Sequence, residues 1–379
     1  MPLLLITLAL VAVDDTSVDG PLAAFLGKPK FNMSQVATSQ RFPNIVVATD
    51  GSLLALWGND GVRLRRSEDA GASWGKPITI AENGFFTGGT VVDERTGHVL
   101  AFVEDRHPPA PFTVYVSKDH GESWSARPKG SVVIKPDANG HVPSLHMNES
   151  GLTLRRGKHA GRLIRAARWY AEANRRDQWP KHYTTAIFSD DRGKTWQTSQ
   201  PFAEMGTGEA AIAELSDGTL YYNSRIHWQE ARNPLRRRHA WSDDGGATWR
   251  DWQIVEVLPD GQQTRSYGCM GGLVRLPIQG RDVLIFSNLD TKNPRRERGT
   301  VWASFDGGRT WPVKRLVFDG PSAYSSLNAG RTNTNSAGWV YLHFEGGPKG
   351  GSHVARFNLA WLLGGEPTGD GEVPEWAIR

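Results

Sequence analysis

Arginine, glutamate and tyrosine residues occur in four short segments whose side chains could bind and attack an acidic substrate. The segments are Arg41-Phe42-Pro43, a hairpin sequence from Gly208 to Arg225, RRERGTVWAS at 295–304 and GPSAYSSL at 320–327. Arginine stays charged at physiological pH, and its planar guanidinium forms paired hydrogen bonds with a carboxylate. A tyrosine becomes a nucleophile when a nearby base takes its proton. These residues can act together only if the fold brings the distant segments to one place.

A repeated octapeptide indicates which fold positions these segments. The pattern Ser-x-Asp-x-Gly-x-Ser/Thr-Trp occurs five times, at 67–74, 117–124, 189–196, 242–249 and 304–311. Repeats at such intervals are typical of propeller blades with enlarged loops. The aspartate can accept backbone hydrogen bonds, the glycine allows a positive φ and the tryptophan can cover neighbouring strands. We therefore predict that the five repeated aspartates are structural rather than catalytic.

The sequences around the repeats alternate or run apolar, as β-strands do. GVRLRRS, FTVYVS, YTTAIFS and GTVWAS lead into four repeats, and NIVVATDGSLLAL and AAIAELSDGTLYYNSR read as hairpins with Asp-Gly turns. The prediction is an all-β, six-bladed β-propeller whose N- and C-terminal strands close the ring. Its predicted divisions are a leader at 1–30, the propeller at 31–363 and a C-terminal tail at 364–379.

Composition narrows the classes of partner. The net charge of +4 favours an anionic partner without identifying one. The basic run Arg236–Arg238 lacks the interleaved aromatics of a nucleic-acid site, so no nucleic-acid partner is expected. The single cysteine, Cys269, excludes an internal disulfide, and the histidines show no metal-ligand spacing. No metal or other cofactor is predicted, and the oligomeric state is left open.

The N-terminal run MPLLLITLALVAV has about the length of a signal-peptide core and is too short to span a bilayer. It indicates a secreted or periplasmic protein. The alternative is an ordinary buried strand at the N-terminus. No membrane span is predicted elsewhere.

The octapeptides resemble the Asp-boxes of the sialidase (neuraminidase) family, whose fold is a six-bladed propeller. The four segments follow the order of that family's landmarks, and the resemblance covers roughly residues 35–363. It implies that Arg41 and Arg225 bind the carboxylate of sialic acid together with a third arginine. Spacing from the last Asp-box selects Arg296, although Arg298 would lie on the same strand face. The resemblance further implies that Glu209 activates a nucleophile. It also implies that this nucleophile is Tyr324, in the segment GPSAYSSL.

The chemistry of the family explains this combination. A sialoside carries a carboxylate on its anomeric carbon, which repels a carboxylate nucleophile and favours a neutral tyrosine. The resemblance implies a retaining exo-α-sialidase that removes terminal sialic acid, or a related nonulosonic acid, from sialylated or similar acidic glycans. Two alternatives stay open. One is a propeller that binds acidic sugars without catalysis, and the other is a different carbohydrate-active enzyme on the same fold.

The sequence departs from the family at the general acid/base. The family carries an aspartate on a loop before the first Asp-box, and here that stretch is only WGNDGVRLRRS at 57–67. Asp60 is its one aspartate and becomes the predicted acid/base, with a plain hairpin turn as the alternative interpretation. In LAFVEDRHPPAP, Asp105 and Arg106 could bind the hydroxyl groups of the sugar or supply the acid; a loop ion pair is the alternative there.

Overall fold

The chain folds into an all-β propeller, as the repeats predict. The computed structural model describes residues 18–38, 41–227, 235–260 and 268–378. Residues 1–17, which include the apolar run predicted as a leader, lie outside the described residues. The helices among these described residues are short: α1 (Leu359–Leu363), α2 (Glu375–Ile378) and 3-10 turns at Leu22–Ala24, Gly157–His159, Glu172–Asn174 and Arg176–Lys181. Within the described ranges no helix has the length and apolar character needed to cross a membrane.

Most strands form antiparallel meanders that follow one another along the chain. After β1 (Phe31–Ala37), the first meander contains β2 (Asn44–Val47), β3 (Leu53–Trp57), β4 (Val62–Ser67) and β5 (Ile78–Ala81). The second contains β6 (Phe85–Phe86), β7 (Val91–Val92), β8 (Val99–Glu104), β9 (Phe112–Ser117) and β10 (Ser125–Ala126). The third contains β11 (Val133–Ile134), β12 (Leu152–Thr153), β13 (Leu163–Trp169), β14 (Tyr183–Ser189) and β15 (Thr195–Thr198).

The later strands complete the propeller. The fourth meander contains β16 (Thr207–Glu214), β17 (Leu220–Ile226), β18 (Arg236–Ser242) and β19 (Arg250–Pro259). The last and largest sheet contains β20 (Leu273–Arg275), β21 (Leu284–Leu289), β22 (Glu297–Ser304), β23 (Val313–Ala329), β24 (Val340–Gly346), β25 (Ser352–Phe357) and β26 (Glu366–Pro367). The strands predicted before the repeats and in the two Asp-Gly hairpins are all present.

The long strand β23 passes from one group of strands to the next. Residues 313–321 pair with β22, whereas residues 322–329 pair with β24. The N-terminal strand β1 then pairs antiparallel with β25, so both ends of the chain contribute to the same sheet. Strand β23 also packs against β2, which brings the last sheet next to the first meander.

Each octapeptide forms a self-contained turn. In the third repeat, the Asp191 carboxylate accepts hydrogen bonds from the hydroxyl of Ser189 at 2.8 Å and from the backbone N–H of Thr195 at 2.8 Å. The same serine-to-aspartate bond recurs at Asp69, Asp119, Asp244 and Asp306. The carboxylates are therefore occupied in holding the turns, as the sequence predicts.

Apolar side chains fill the spaces between neighbouring sheets. Trp196 and Trp311, from two of the octapeptides, are fully buried in these layers. Near the chain ends, Phe25 packs into the core beside Leu276, and β26 pairs with β23. The division into leader, propeller and tail stays a prediction, although residues on both sides of the proposed limits pack against the propeller.

Candidate active site

Tyr324, Glu209 and Arg225 form a buried hydrogen-bonded cluster. The Tyr324 hydroxyl donates to Oε1 of Glu209 at 3.0 Å. Arg225 donates from Nη1 to Oε2 of Glu209 and, at 3.3 Å, to the Tyr324 hydroxyl oxygen. All three residues are buried. Segments separated by 99 and 115 residues thus meet through polar side chains.

Irregular backbone pairing determines the direction of two of these side chains, Glu209 and Tyr324. The pairing of β16 with β17 shifts register between Thr207 and Ala210, and Glu209 lies within that shift. The pairing of β23 with β24 shifts between Ser322 and Ser325, and Tyr324 lies within it. A β-bulge adds a residue to one strand and redirects the side chains at that point. Here two bulges turn a carboxylate and a phenol toward each other.

Arg41 and Arg296 flank the ring of Tyr324. Each guanidinium carbon lies 5.2 Å from the ring centroid. Arg296 also donates from Nη2 to the carbonyl of Gly268 at 3.0 Å. The side chain of Arg41 remains 48% exposed, whereas that of Arg225 is fully buried, so Arg41 marks the open side of the cluster. All three arginines expected from the sequence therefore surround the same tyrosine.

Arg298 points elsewhere, although simple strand alternation would place it on the face of Arg296. Its φ is 61°, and the pairing of β22 with β23 is irregular between Glu297 and Gly299. The Arg298 guanidinium forms an ion pair with exposed Asp319. The bulge breaks the two-residue alternation and leaves Arg296 as the arginine beside Tyr324.

Glu345, at the end of β24, is a site residue that the sequence analysis missed. Its Oε1 accepts hydrogen bonds from Nε of Arg41 at 3.1 Å and from the backbone N–H of Phe42 at 3.0 Å. Its Oε2 lies 3.4 Å from the backbone nitrogen of Tyr324. One carboxylate thus fixes the first arginine and the tyrosine backbone together. The only sequence signal is an acidic residue at the end of the apolar strand VYLHFE.

A second buried arginine lies behind Glu209. Arg168, on β13, donates to the hydroxyl of Tyr170 at 3.2 Å and to Nδ1 of His182 at 2.9 Å; it also contacts Nδ1 of His227. A histidine nitrogen that accepts from arginine carries no proton, so both imidazoles are neutral in this arrangement. Burial lowers the pKa of His182 to about 3, in agreement with that state. No pattern in the sequence indicates that these histidines lie close together.

Opposing effects set the protonation of the central pair. Burial alone would raise the pKa of Glu209, but the positive charges of Arg225 and Arg168 outweigh burial and lower it to about 2. Burial and the neighbouring charge of Glu209 raise the pKa of the Tyr324 phenol. The resting cluster therefore contains a carboxylate and a neutral phenol, with the proton of the hydrogen bond on tyrosine.

The remaining candidates from the sequence, Asp60, Asp105 and Arg106, are not part of the hydrogen-bonded cluster around Tyr324. Asp60 is exposed in the turn between β3 and β4, and Asp105 and Arg106 are exposed after β8. Among the described residues, the side chains of these three form no hydrogen bond or ion pair with the tyrosine, the glutamate or the arginines. Their sequence-based roles stay predictions. The described part of the chain also contains no group of three metal-ligating side chains placed to hold an ion.

The cluster combines the positive charges of the surrounding arginines with a phenol whose proton can move to a carboxylate. Three guanidinium groups can bind an anionic group held over the tyrosine. A phenol hydrogen-bonded to a carboxylate can attack an electrophilic carbon as its proton passes to that carboxylate. This geometry suits a sugar that carries its own carboxylate next to the reacting carbon.

Comparison with known sequences gives one family and several relatives. Residues 51–340 match the model of the BNR repeat-like domain. A sialidase of Micromonospora viridifaciens is 31% identical over an alignment that covers 89% of this chain and 55% of the relative. A sialidase of Bacteroides fragilis is 26% identical, with 74% of this chain and 55% of the relative covered. The chain thus spans about half the length of these curated relatives.

Solved structures give the same fold at lower identity. An intramolecular trans-sialidase from Ruminococcus gnavus, in complex with oseltamivir carboxylate, superposes with a TM-score of 0.61 at 16% identity, covering 86% of this chain and 96% of that one. The leech intramolecular trans-sialidase gives a TM-score of 0.63 at 15% identity, with 86% and 69% covered. At these identities the likeness shows the propeller fold alone.

Proposed function

Because this chain belongs to the BNR repeat-like family and has sialidases among its relatives, we propose that it is a retaining exo-α-sialidase. Its substrate is terminal sialic acid, or a related nonulosonic acid, on a glycan. The single observation that carries this proposal is the hydrogen bond between Tyr324 and Glu209, with three arginines around the tyrosine. A protein that only binds acidic sugars needs the arginines but has no use for that pair.

In this function the arginines bind the carboxylate of the sugar. Arg41 lies on the exposed side, with its Nε bonded to Glu345 and about half of its side chain exposed. Arg225 approaches the tyrosine from the buried side, and Arg296 lies beside the tyrosine ring. The carboxylate is thereby held over the Tyr324 hydroxyl, which orients the adjacent anomeric carbon for attack.

Tyr324 then serves as the nucleophile and Glu209 as its base. The Tyr324 oxygen bonds to the anomeric carbon while its proton moves to Glu209, and the bond to the leaving oxygen breaks. A phenol is the suitable nucleophile because it is neutral when it meets the anionic sugar. The leaving oxygen takes a proton from a general acid. Water later attacks the same carbon from the side of the departed group and gives a proton back to that acid/base, and Tyr324 recovers its proton from Glu209. Two displacements at one carbon retain the anomeric configuration.

The propeller that holds the site is proposed to have six blades. In the part of the chain that the structure describes, hydrogen bonding alone gives five sheets, of which the largest contains β23. Because the two parts of β23 pair with β22 and β24 separately, that sheet supports a division into two blades. The second of these blades would then consist of β24, β25 and β1 with the later part of β23.

The second candidate function is binding of acidic sugars without hydrolysis. The observation that favours it is the short turn between β3 and β4, which leaves Asp60 exposed and outside the cluster's hydrogen bonds. A secreted or periplasmic location suits either function and remains a proposal, since the relevant leader lies outside the described residues.

Incubation with a fluorogenic aryl α-sialoside, beside a panel of other acidic-sugar glycosides, tests the proposed function. We expect selective release of the fluorophore from the sialoside. Proton NMR of the reaction with sialyllactose should show the α-anomer of free sialic acid before it mutarotates. Binding of sialic acid with no turnover of any glycoside would favour the binding protein, and turnover of a different acidic glycoside would favour another carbohydrate-active enzyme.

A further inference from the structure

His107, in the loop after β8, belongs to an aromatic cluster that reaches Tyr324. Its ring centroid lies 5.1 Å from that of His146 and 5.3 Å from that of Phe85. The ring of Phe42 lies 5.3 Å from His146 and 4.7 Å from Phe85, and 5.9 Å from Tyr324. His107 remains exposed, so it forms the solvent side of a cluster whose other end is the nucleophile.

The charges around Tyr324 also act on His107. Burial lowers the pKa of His107, Arg168 and Arg41 lower it further, and the Glu209 carboxylate opposes them. These are the same groups that set the protonation of the Tyr324–Glu209 pair or bind the substrate carboxylate. His107 is therefore a titratable side chain within the electrostatic field of the site.

One ring nitrogen of His107 is engaged by the protein. Nδ1 lies 3.2 Å from the carbonyl oxygen of Pro108, which can only accept, so Nδ1 keeps a proton. The amide of Asn174 lies 3.4 Å from the same nitrogen, and its Oδ1 has no hydrogen-bond partner among the described residues. Rotating the amide by 180° gives Nδ1–H a second acceptor. Nε2 is then the nitrogen that gains and loses a proton.

The neighbouring β3–β4 turn favours a proton donor on another element. The N–H of Gly58 donates to the carbonyl of Arg41 at 2.9 Å, and that of Gly61 donates to the carbonyl of Gly84 at 3.0 Å. The carbonyl of Gly58 accepts from Phe86 at 3.0 Å. Hydrogen bonds therefore hold this turn at both ends, and Asp60 lies at its tip. Phe85 packs on His107, and its neighbour Phe86 bonds to the turn, so this pair of residues links the histidine to the turn that carries Asp60.

We propose that His107, rather than Asp60 or Asp105, exchanges the proton of the leaving group, an inference that rests on the proposed function. In the first step Nε2–H of the imidazolium gives its proton to the leaving oxygen as the glycosidic bond breaks. Tyr324 forms its bond to the anomeric carbon at the same time. In the second step neutral Nε2 takes a proton from water, whose oxygen bonds to that carbon as Tyr324 departs. His107 returns to the imidazolium and Tyr324 regains its proton from Glu209.

The proposal fixes the direction of the pH dependence. Packing against the aromatic rings, together with Arg168 and Arg41, holds the pKa of His107 below its usual value. Protonated His107 is the acid of the first step, so hydrolysis of substrates with poor leaving groups rises as pH falls through that pKa. The titratable and charged groups that face His107 or share its loop are Glu209, Arg168, Arg41, His146, Tyr170, Asp105 and Arg106.

The test compares two substrates in the full-length protein. His107→Ala and His107→Gln should reduce kcat/KM for sialyllactose by about 10²–10⁴-fold, the usual range for general acid–base catalysis, and change the value for an aryl sialoside far less. The aryl leaving group departs without a proton. Both variants should also lose the rise of sialyllactose hydrolysis at low pH, and added azide should raise kcat for the aryl sialoside by attacking the glycosyl-enzyme, where no base is needed, to form a glycosyl azide.

Three further variants make the test decisive. His141→Ala, which removes an imidazole stacked 3.9 Å from Trp169, is the matched control and should leave the substrate ratio unchanged. If the selective loss appears in Asp60→Ala or Asp105→Ala while His107→Gln keeps the wild-type ratio, the inference is overturned and the sialidase function stands. If the wild-type protein hydrolyses neither substrate, the proposed function itself fails and the inference fails with it.

Discussion

The Tyr324 hydroxyl and the Glu209 carboxylate, which approach to 3.0 Å, both lie in β-bulges of different sheets. In regular strands the side chains would alternate between the two faces of each sheet and pack against neighbouring sheets. The bulges instead direct these two side chains to one point beneath Arg41 and Arg296. The chemistry proposed here therefore depends on two local departures from the regularity that builds the propeller.

The two arginines of the RRERGTVWAS segment should behave differently. Arg296→Ala removes a cation beside Tyr324 and should weaken binding of sialic acid by about tenfold or more, as expected for loss of a charge-assisted hydrogen bond. Arg298→Ala removes an exposed ion pair with Asp319 and a hydrogen bond to the carbonyl of Asp290, and it should leave affinity within about twofold. Titration calorimetry with sialic acid checks both. An equal loss of affinity in the two variants would contradict the assignment.

This pair also shows where sequence reasoning ends. The spacing within the segment and the resemblance to sialidases identified Arg296, but strand alternation could not separate it from Arg298. The bulge between Glu297 and Gly299 determines which of the two arginines lies beside Tyr324. This bulge arises from the pairing of β22 with β23.

The most reliable sequence predictions concern local structure. The octapeptide turn is built from hydrogen bonds within eight residues, so the sequence contains everything needed to recognise it. Glu345 could not be found in this way. Its partners Arg41 and Phe42 are more than 300 residues distant, and they meet it only because the last sheet packs beside the first meander. The grouping of Arg168 with His182 and His227 depends on three different elements in the same manner.

The repeated aspartates should affect stability without affecting catalysis. Asp191→Ala removes the acceptor for Ser189 and for two backbone N–H groups of its turn. We expect a loss of about 2 kcal/mol in the free energy of unfolding, in the range for hydrogen bonds to a charged group. The KM of the folded variant should equal that of the wild type. Urea unfolding and initial-rate kinetics measure the two quantities, and a changed KM with unchanged stability would contradict the structural role.

Glu104 should make the folded state less stable as pH rises. Burial raises its pKa to about 8, and Oε2 has no hydrogen-bond partner among the described residues. An unfolded glutamate ionises near pH ~4.3. Between these values the folded protein keeps a proton that the unfolded chain releases, so stability declines from about pH 4.3 up to about pH 8.

Glu104→Gln removes the ionisation and should therefore reduce the fall in Tm between pH 5 and pH 8. The matched control is Glu82→Gln, whose side chain is 77% exposed and pairs with Arg63, and it should retain the wild-type decline. Differential scanning calorimetry at both pH values gives the comparison. A Glu104→Gln protein with the full wild-type decline would show that this carboxyl ionises normally in the fold.

The central claim is that Tyr324 attacks the sugar, and Tyr324→Phe tests it most directly. The variant keeps the aromatic ring between Arg41 and Arg296 and leaves Glu209 bonded to Arg225. The control Tyr222→Phe removes a buried hydroxyl that donates to the carbonyl of Thr185 at 2.8 Å, away from the site. With an aryl sialoside, we predict that turnover by Tyr324→Phe falls by orders of magnitude while sialic acid still binds, and that the control stays near the wild type. Near-normal turnover by Tyr324→Phe would contradict the account.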